Sequence, residues 1–452
     1  MREMKDSGIA WIGEIPKEWG IIPFKSYFKL SKGLNITKGD LIIRGIPVIN
    51  YGQIHSKLNT GTSINPELIK YVSDNYIETN PNCLLSSGAF IFADTSEDKD
   101  GCGNAIYVNS PKYPLLFAGY HTIIANPRQN KDNKFLAYLF LTDCWRSQIR
   151  SIVTGIKVYS INQKCLNNST ILLPPLSEQQ RIATFLDEKC KEIDALIALQ
   201  EEMITELQAY KQSVISEAVT KGLAPKVAMK DSGVEWIGEI PEHWRLVKFN
   251  KVCSKITDFV ASGSFESLRL NVPYLDEPDF AMLVRTTDLS GSARSDKKVY
   301  ISEDSYKFLN NSNLFGGEIV LPNIGASVGD VYKVPKMYEH MSLAPNSIMF
   351  LTKYVDNYYY YFYSCNAGRL SVLNIAQSTA QPKFNKTQLR DLIVPVPPLP
   401  EQQAIADYLD TQCTRIDSLI ALKQAKIESL KEYKKSVIYE YVTGKKEVPA
   451  TV

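Results

Sequence analysis

The chain repeats itself, and this repeat limits its possible folds more than any other feature. The phrase at 5–19 reads "KDSGIAWIGEIPKEW" and the phrase at 230–244 reads "KDSGVEWIGEIPEHW", with 11 of 15 letters identical. A longer pair follows, "PPLSEQQRIATFLDEKCKEIDALIAL" at 174–199 and "PPLPEQQAIADYLDTQCTRIDSLIAL" at 397–422. The second similarity continues to 220, with 27 identities over 47 positions. A chain duplicated in this way builds the same local structure twice, so we predict an internal pseudo-twofold repeat.

The longer repeated segment has the pattern of a helix with an apolar seam. Each copy starts after Pro-Pro and has Glu-Gln-Gln in its first turn, which are signals of a helix start. Apolar residues recur every three or four positions, as in a heptad seam. The predicted seam residues are Leu186, Ile193, Ile197, Ile204 and Leu207 in the first copy, and Leu409, Ile416, Ile420, Ile427 and Leu430 in the second.

The two seams are equivalent, so each is the natural partner of the other. Polar residues interrupt both seams at the same places, Gln200 and Lys423, then Lys211 and Lys434, and such residues can fix the register of a coiled coil. We expect the helices to pack antiparallel, which would carry the variable stretches to opposite ends of a rod. The alternative is that each helix packs on its own globular domain.

The stretches between the repeats, 20–173 and 245–396, differ in sequence but share an organisation. Short β-rich runs such as "GAFIFAD" and "GEIVLPN" alternate with turn residues, and one helical piece follows in each, at 133–149 and 357–373. The predicted class is α+β, with two mixed α/β domains joined by two long antiparallel helices. The predicted divisions are 1–19 (N-terminal phrase), 20–173 (first domain), 174–222 (first helix), 223–244 (linker and repeated phrase), 245–396 (second domain), 397–446 (second helix) and 447–452 (tail).

Composition excludes several classes of protein. The 452 residues contain no run of 18 apolar residues and no signal-peptide core at the N-terminus, so we expect a cytoplasmic protein with no membrane partner. No phosphate loop, nucleophile elbow or zinc-protease motif is present, so we expect no catalytic residue. Eight cysteines and four histidines are scattered without metal-ligand spacing, and we expect no metal site. For the loop "TSEDKDG" at 95–101, a solvated surface is favoured over a metal site.

Positive charge collects in the variable stretches. The net charge is +6 over 20–173 and +3 over 245–396, against −4 over 174–222 and +1 over 397–446. This distribution suits two domains that touch a polyanion, although charge by itself does not specify DNA.

The repeated motifs resemble those of the specificity subunits of type I restriction–modification systems. The resemblance rests on "GEIPxxW" at 13–19 and 238–244 and on "PPLxEQQxIAxxLD" at 174–187 and 397–410. It implies that each variable domain reads one half of a bipartite double-stranded DNA site and that the helices set the gap. It also implies partners: two methyltransferase subunits that use S-adenosylmethionine, and restriction or translocase subunits that use ATP and Mg. This chain would bind no cofactor.

Under this resemblance, base-reading residues should be polar side chains on loops of the variable domains. The candidates come from a rough alignment of the two domains. In the first domain they are Tyr51, Gln53, Thr95, Ser96, Lys99, His121, Lys157 and Tyr159. In the second domain they are Arg285, Thr286, Thr287, Asn323, Ser327, Asn346, Ser378, Thr379, Gln381 and Lys383.

Two other interpretations remain open at this point. The chain could be a two-headed scaffold that binds proteins, with the helices as a ruler, or an enzyme with an unrecognised site. The tryptophans of the repeated phrases, Trp11, Trp19, Trp236 and Trp244, are expected to pack in the core and not to stack on bases.

Overall fold

The computed structural model describes residues 2–109, 113–129, 133–155, 157–290, 297–376 and 381–449. The chain divides into two compact units, Met1–Gln200 with Ala425–Val452, and Glu201–Gln424. Each unit contains one variable stretch, one copy of the short phrase and part of both long helices. The first unit is therefore made from two separate parts of the chain, whereas the second is continuous.

The first unit has two main sheets. One is antiparallel, in the order Phe28–Lys32, Thr122–Pro127, Ala89–Ala93, Ala105–Val108. The other places Ile46–Ile49 between Phe117–Ala118, which is parallel to it, and Lys70–Val72. Antiparallel pairs complete the unit: Met4–Asp6 with Glu14–Pro16, Gly20–Pro23 with Thr170–Leu173, and Thr95–Ser96 with Tyr159–Ser160.

The helices of the first unit are short, apart from its parts of the two long helices. The short α-helices are Phe24–Tyr27, Tyr51–Ile54, Tyr76–Thr79, Lys134–Leu141, Asp143–Arg150 and Gln163–Asn167, and the 3₁₀ turns are Lys38–Asp40, Pro66–Leu68 and Pro81–Cys83. The first long helix is Leu176–Lys221.

The second unit repeats this plan. Its antiparallel sheet has the order Cys253–Asp258, Ser347–Thr352, Ile319–Pro322, Tyr332–Lys333. Its other sheet has the order Tyr300–Ile301, Ala281–Val284, Met341–Leu343, Asn313–Leu314, with the two middle strands parallel. The remaining strands pair as Met229–Asp231 with Glu239–Pro241 and Arg245–Lys248 with Ile393–Val396.

The helices of the second unit also follow the order of the first. They are Phe249–Val252, Phe265–Asn271, Thr286–Leu289, Glu303–Phe308, Asp356–Ser364, Asn366–Ile375 and Lys386–Asp391, with 3₁₀ turns at Phe259–Ser262 and Asn310–Ser312. The second long helix is Leu399–Val442.

The single helical piece predicted in each domain is wrong, because each is two helices. The break falls at Thr142 in the first domain and at Cys365 in the second, where the backbone is extended. The Thr142 hydroxyl donates to the carbonyl of Leu139 (2.6 Å) and ends the first helix there. In the second domain Gly368 follows the break, and a Cβ on it would lie 2.0 Å from the carbonyl oxygen of Phe362. The break therefore depends on a side-chain cap in the first domain and on a glycine in the second. The apolar periodicity of the sequence continues across both breaks and does not reveal them.

Within each unit the long helices run antiparallel. In the first unit the rings of Phe185 and Tyr441 are 4.5 Å apart, and Lys434 contacts Asp194 at 2.7 Å. In the second unit Lys211 contacts Asp417 at 2.7 Å and the amine of Lys423 lies 3.3 Å from the sulfur of Met203. Residue numbers rise on one helix as they fall on the other, so the predicted fold class is confirmed. Among the described residues, no helix is long and apolar enough to cross a membrane.

Candidate nucleic-acid interface

Most of the first-domain candidates gather around one depression. It has a volume of about 770 Å³, and its lining includes Tyr51, Thr95, Ser96 and His121. Tyr51 and His121 meet edge to face with ring centroids 5.5 Å apart. The antiparallel pairing of Thr95–Ser96 with Tyr159–Ser160 brings Tyr159 to the same region. The sequence alignment therefore collected residues that are far apart in the chain but close in space.

His55 holds the wall of this depression in place. One ring nitrogen lies 2.8 Å from the carbonyl oxygen of Thr95, and the other lies 3.3 Å from the amide nitrogen of Asn104. Gln53 has a structural contact, because its carbonyl accepts from the backbone amide of Asn50 (3.1 Å). Lys99 and Lys157 are exposed. The short helix Tyr51–Ile54 is thus fixed to the strands, while both lysines are left at the surface.

In the second domain, five candidates meet around the segment after strand Ile319–Pro322. The backbone amide of Asn323 donates to the carbonyl of Asn346 (3.1 Å), and its side chain donates to the carbonyl of Phe384 (3.0 Å). A bridge between Ile324 and Lys383 joins the same two segments. Gln381 lies beside Gly325, and Ser327 is half-buried in the turn that follows. Ser378 and Thr379 lie outside the described residues.

One backbone feature marks the same place in both domains. His121 (φ 54°) and Asn346 (φ 67°) have left-handed backbone conformations, and each directly precedes a strand, Thr122–Pro127 or Ser347–Thr352. Such conformations are uncommon for residues other than glycine. The two domains thus share the turn although the side chains on it differ.

Arg285 is held by its own domain. Its guanidinium contacts both carboxylate oxygens of Asp288 at 3.0 Å and donates to the carbonyl of Lys297 (2.6 Å). Asp288 is fully buried as a side chain and also pairs with Lys298 at 3.2 Å. Thr286 and Thr287 begin the short helix that this ion pair caps, and both are half-buried. The fork of Arg285 therefore has few free donors, and this weakens it as a candidate base reader.

The ion pair at Asp288 predicts an acid-sensitive second unit. Burial raises the pKa of Asp288, but hydrogen bonds from Arg285 and Lys298 outweigh burial and hold that pKa below its ordinary value. A carboxyl whose pKa is lower in the folded state contributes stability above the unfolded pKa, about 4, and loses it as the pH falls. We expect the unfolding free energy of the wild type to fall below about pH 5, and that of Asp288→Asn to fall less steeply.

Urea unfolding measured at several pH values checks this expectation, with Asp276→Asn as the control. Asp276 pairs with Lys297, but both side chains are at least 70% exposed, so this pair should change the stability little. An identical acid dependence in the wild type and in Asp288→Asn would contradict the assignment.

Two arginines in equivalent places were missed by the sequence reasoning. Arg146 lies on the helix Asp143–Arg150 and Arg369 lies on the helix Asn366–Ile375, which follow the break in each domain. Each arginine packs over a glycine with positive φ. A Cβ on Gly103 would lie 3.4 Å from Cγ of Arg146, and one on Gly329 would lie 3.2 Å from Cγ of Arg369. Both arginines lie in the stretches 133–149 and 357–373, which the sequence pattern indicated only as apolar helix. The spacing of 223 residues between them, the same as in the long repeat, could have revealed them.

The repeated motifs build the same junction in each unit. The indole N–H of Trp19 donates to Glu178 (3.1 Å), and that of Trp244 donates to Glu401 (2.8 Å). Gln179 and Gln402 each donate to the carbonyl of the first proline of their own copy at 2.8 Å. Trp19 and Trp244 are buried, as predicted, whereas Trp11 is 48% exposed and Trp236 is half-buried. The expectation of core packing is therefore wrong for Trp11.

The predicted seam residues divide by position along the helices. Five are fully or almost fully buried near the domains, namely Leu186, Ile193, Leu409, Ile416 and Ile427, and Leu430 is 8% exposed. The others, Ile197, Ile204, Leu207 and Ile420, are half-buried.

Among the described residues, no group of histidine, cysteine, aspartate or glutamate side chains could hold a metal ion.

Comparison with known proteins agrees with this architecture. The family model for the type I restriction modification DNA specificity domain matches residues 16–209 and 251–432. A Methanocaldococcus jannaschii protein, assigned as the type I restriction enzyme MjaX specificity subunit, is 26% identical over 441 residues, covering 96% of this chain and 95% of that protein. The type I restriction enzyme EcoKI specificity subunit of Escherichia coli is 22% identical over 420 residues, covering 90% of this chain and 84% of its own.

Two solved structures share the fold at 16% sequence identity. One comes from work on the complex assembly and conformational transition of the type I R-M system, with a TM-score of 0.68, covering 95% of this chain and 99% of that chain. The other is the HsdS subunit from Thermoanaerobacter tengcongensis, with a TM-score of 0.52, covering 95% of this chain and 98% of that chain.

Proposed function

The chain belongs to the type I restriction modification DNA specificity family and is a specificity subunit that recognises DNA, and we propose that each of its two units reads one half of a bipartite target. The observation that carries the proposal is one scaffold built twice with different surface side chains. His121 and Asn346 occupy the same turn with different side chains, and the short helix that begins with Tyr51 in the first unit begins with Thr286 in the second. A shared frame with divergent loops suits two different base sequences.

The repeat also supports two equivalent partner subunits. Four pairs of identical large apolar residues stay exposed on the long helices: Leu176 and Leu399, Leu196 and Leu419, Leu199 and Leu422, Tyr210 and Tyr433. Each of these side chains is between 41% and 67% exposed, so burial inside its own unit does not account for it. Exposed apolar side chains that recur in both copies suit a protein partner that binds twice. We assign these positions to the two methyltransferase subunits, with restriction or translocase subunits joining the complex.

The chemistry of the system would then belong to the partners. The specificity subunit is the non-catalytic member of a type I system, and this chain would bind no cofactor itself. S-adenosylmethionine would be used by the methyltransferase subunits, and ATP and Mg by the restriction subunit. The complex would work in the cytoplasm, where its DNA substrate lies.

The test is the pattern of DNA methylation. The chain is co-expressed with its methyltransferase subunit in a host that lacks adenine methylation, and modified bases are read by long-read sequencing. We expect one split motif, with two short defined halves around a fixed undefined gap. The matched control expresses the methyltransferase without this chain and should give no motif. A complex that assembles but methylates no split motif would contradict the proposal and favour the protein scaffold.

A further inference from the structure

The depression of the first unit contains an arginine that has no ion-pair partner. Arg146 lines it, and its Nε donates to the carbonyl of Phe140 (2.8 Å), which fixes the direction of the side chain. Within the described part of the chain, neither terminal nitrogen of Arg146 has a hydrogen-bond partner. Its neighbour Arg150 is held by Asp143 at 2.7 Å and by the carbonyl of Asp100 at 2.8 Å. Arg146 is therefore the guanidinium in this region that still has donors to offer.

Burial makes these free donors costly. Desolvation lowers the pKa of Arg146 to about 10, and the nearby charge of Arg150 acts in the same direction. The carboxylates of Asp143 and Asp100 act in the opposite direction, but within the described residues neither bonds a terminal nitrogen of Arg146. A half-buried guanidinium with unmet donors is stabilised by a ligand that supplies acceptors. The stem of Arg146 lies against Gly103, so the side chain has little freedom to move elsewhere.

The lining of the depression also presents acceptors. Glu97, Asp98 and Asp100 line it together with Ser96. Asp98 is partly used, because one oxygen accepts from the amide of Gly101 (2.6 Å). Glu97 is exposed, and no hydrogen bond or ion pair to another described residue is seen for its carboxylate. Glu97 is thus the carboxylate best able to accept from a ligand.

Ser96 adds a hydroxyl to the lining of the depression. Its side chain is 3% exposed and lines the depression, but among the residues that the structure describes its hydroxyl has no partner. A hydroxyl can donate to a ligand in the depression or accept from it. A Cβ on Gly101 would lie 2.5 Å from this hydroxyl oxygen, so the glycine keeps the space beside it open.

The ligand must offer acceptors to Arg146 and a donor to Glu97 at the same time. Three carboxylates in the lining disfavour a phosphate, so the backbone of DNA is a poor occupant. In the major groove, a G·C pair presents guanine N7 and O6 as acceptors for arginine, and cytosine N4 as a donor for a carboxylate. An adenine would be read best by a free carboxamide, but Asn104, which lines the depression, is engaged by His55.

We infer that Arg146 and Glu97 together read one G·C pair in the half-site of the first unit. This inference rests on the proposed function and names the base pair that this depression selects. Arg146 takes the guanine, Glu97 takes the cytosine amino group, and Ser96 is a further polar contact. Arg146 was not among the residues that the sequence singled out as base readers, whereas Glu97 lies in the loop between the candidates Ser96 and Lys99.

The experiment uses the assembled complex with the methyltransferase subunit and compares the motifs of the wild type, Glu97→Ala and Arg146→Lys. We expect both variants to relax the same G·C pair in one half-site, with discrimination reduced roughly 10-fold or more, and to leave the other half-site unchanged. Glu97 is exposed, so Glu97→Ala tests the inference without disturbing the core. Arg369→Lys, which changes the equivalent arginine of the second unit, is the matched control and should not relax that pair.

Three results would overturn the inference. They are an unchanged motif in both variants, relaxation at an A·T pair, and weaker methylation of an unchanged motif, which would make Arg146 a structural or phosphate-contacting residue. If the wild-type complex itself methylates no split motif, the proposed function fails and this inference fails with it. If the wild type methylates a split motif and neither variant alters it, the inference fails but the proposed function stands.

Discussion

Inserting seven residues into each long helix should lengthen the gap between the two recognised half-sites by about three base pairs. The insertions are placed between Gln200 and Glu201 and between Gln424 and Ala425, where each helix passes from one unit into the other. Seven residues are two turns and add roughly 10 Å of helix. They also keep the seven-residue period of the seam, so the buried positions stay in phase. At about 3.4 Å per base pair, 10 Å corresponds to three pairs.

Long-read methylation sequencing of the wild type and of the double insertion measures this change directly. Both half-sites should keep their sequences, and methylation at the original spacing should disappear. The control inserts the same seven residues into the segment 223–227, outside both helices, and should leave the gap as it was. Altered half-sites with an unaltered gap would contradict the role of the helices as a spacer.

Replacing Leu186 or Leu409 with alanine should each lower the free energy of unfolding by about 3 kcal/mol, within the roughly 2–5 kcal/mol seen for buried leucines. The two leucines are the same residue of the repeat, and both are 0% exposed. Each packs into the largest core of its unit, together with Trp19 in the first and Trp244 in the second. Loss of each side chain would leave a cavity that the surrounding helices and sheets fill only in part.

Urea unfolding of the full chain measures the two effects, with Leu196→Ala and Leu419→Ala as matched controls. These leucines belong to the same helices but are 48% and 41% exposed, so each change should stay within about 0.5 kcal/mol. If the unfolding free energy fell equally at buried and exposed positions, the buried leucines of the seam would not be what stabilises each unit. A large loss in one unit only would show that the two copies of the junction are not equivalent.

The duplicated parts of the fold could be predicted from the sequence because the same motifs occur in two copies. The helix starts after the two Pro-Pro pairs, at Leu176 and Leu399, and the burial of Trp19 and Trp244 follow from the repeated residues. The structure gives both copies the same contacts. The interruption of the seam by Lys211 and Lys434 also has a physical counterpart. Each lysine pairs with an aspartate of the other helix at 2.7 Å, and this fits only one register.

The surfaces of the variable domains could be predicted only in part. The rough alignment of the two domains is supported at one place, because Asn50 and Arg285 both cap a short helix after a strand of the second sheet. The sequence could not show that Arg285 is paired with Asp288 while Arg146 bonds only the carbonyl of Phe140 among the described residues, because both facts depend on contacts made by the folded side chains. Ion pairing within a short helix can use up the donors of an arginine, and no local pattern reports this.

The two-part composition of the first unit determines the order in which the protein can fold during synthesis. Residues 201–424 form the second unit without help from elsewhere in the chain, whereas the first unit needs the segment 425–449 to complete its core around Val437, Ile438 and Val442. Ribosomes add roughly 5–20 residues per second, so the apolar faces of Ile182 and Leu186 wait more than ten seconds for their partner helix. The domain that is made first is therefore finished last, and chaperones that shield nascent chains have the longest time to act on it.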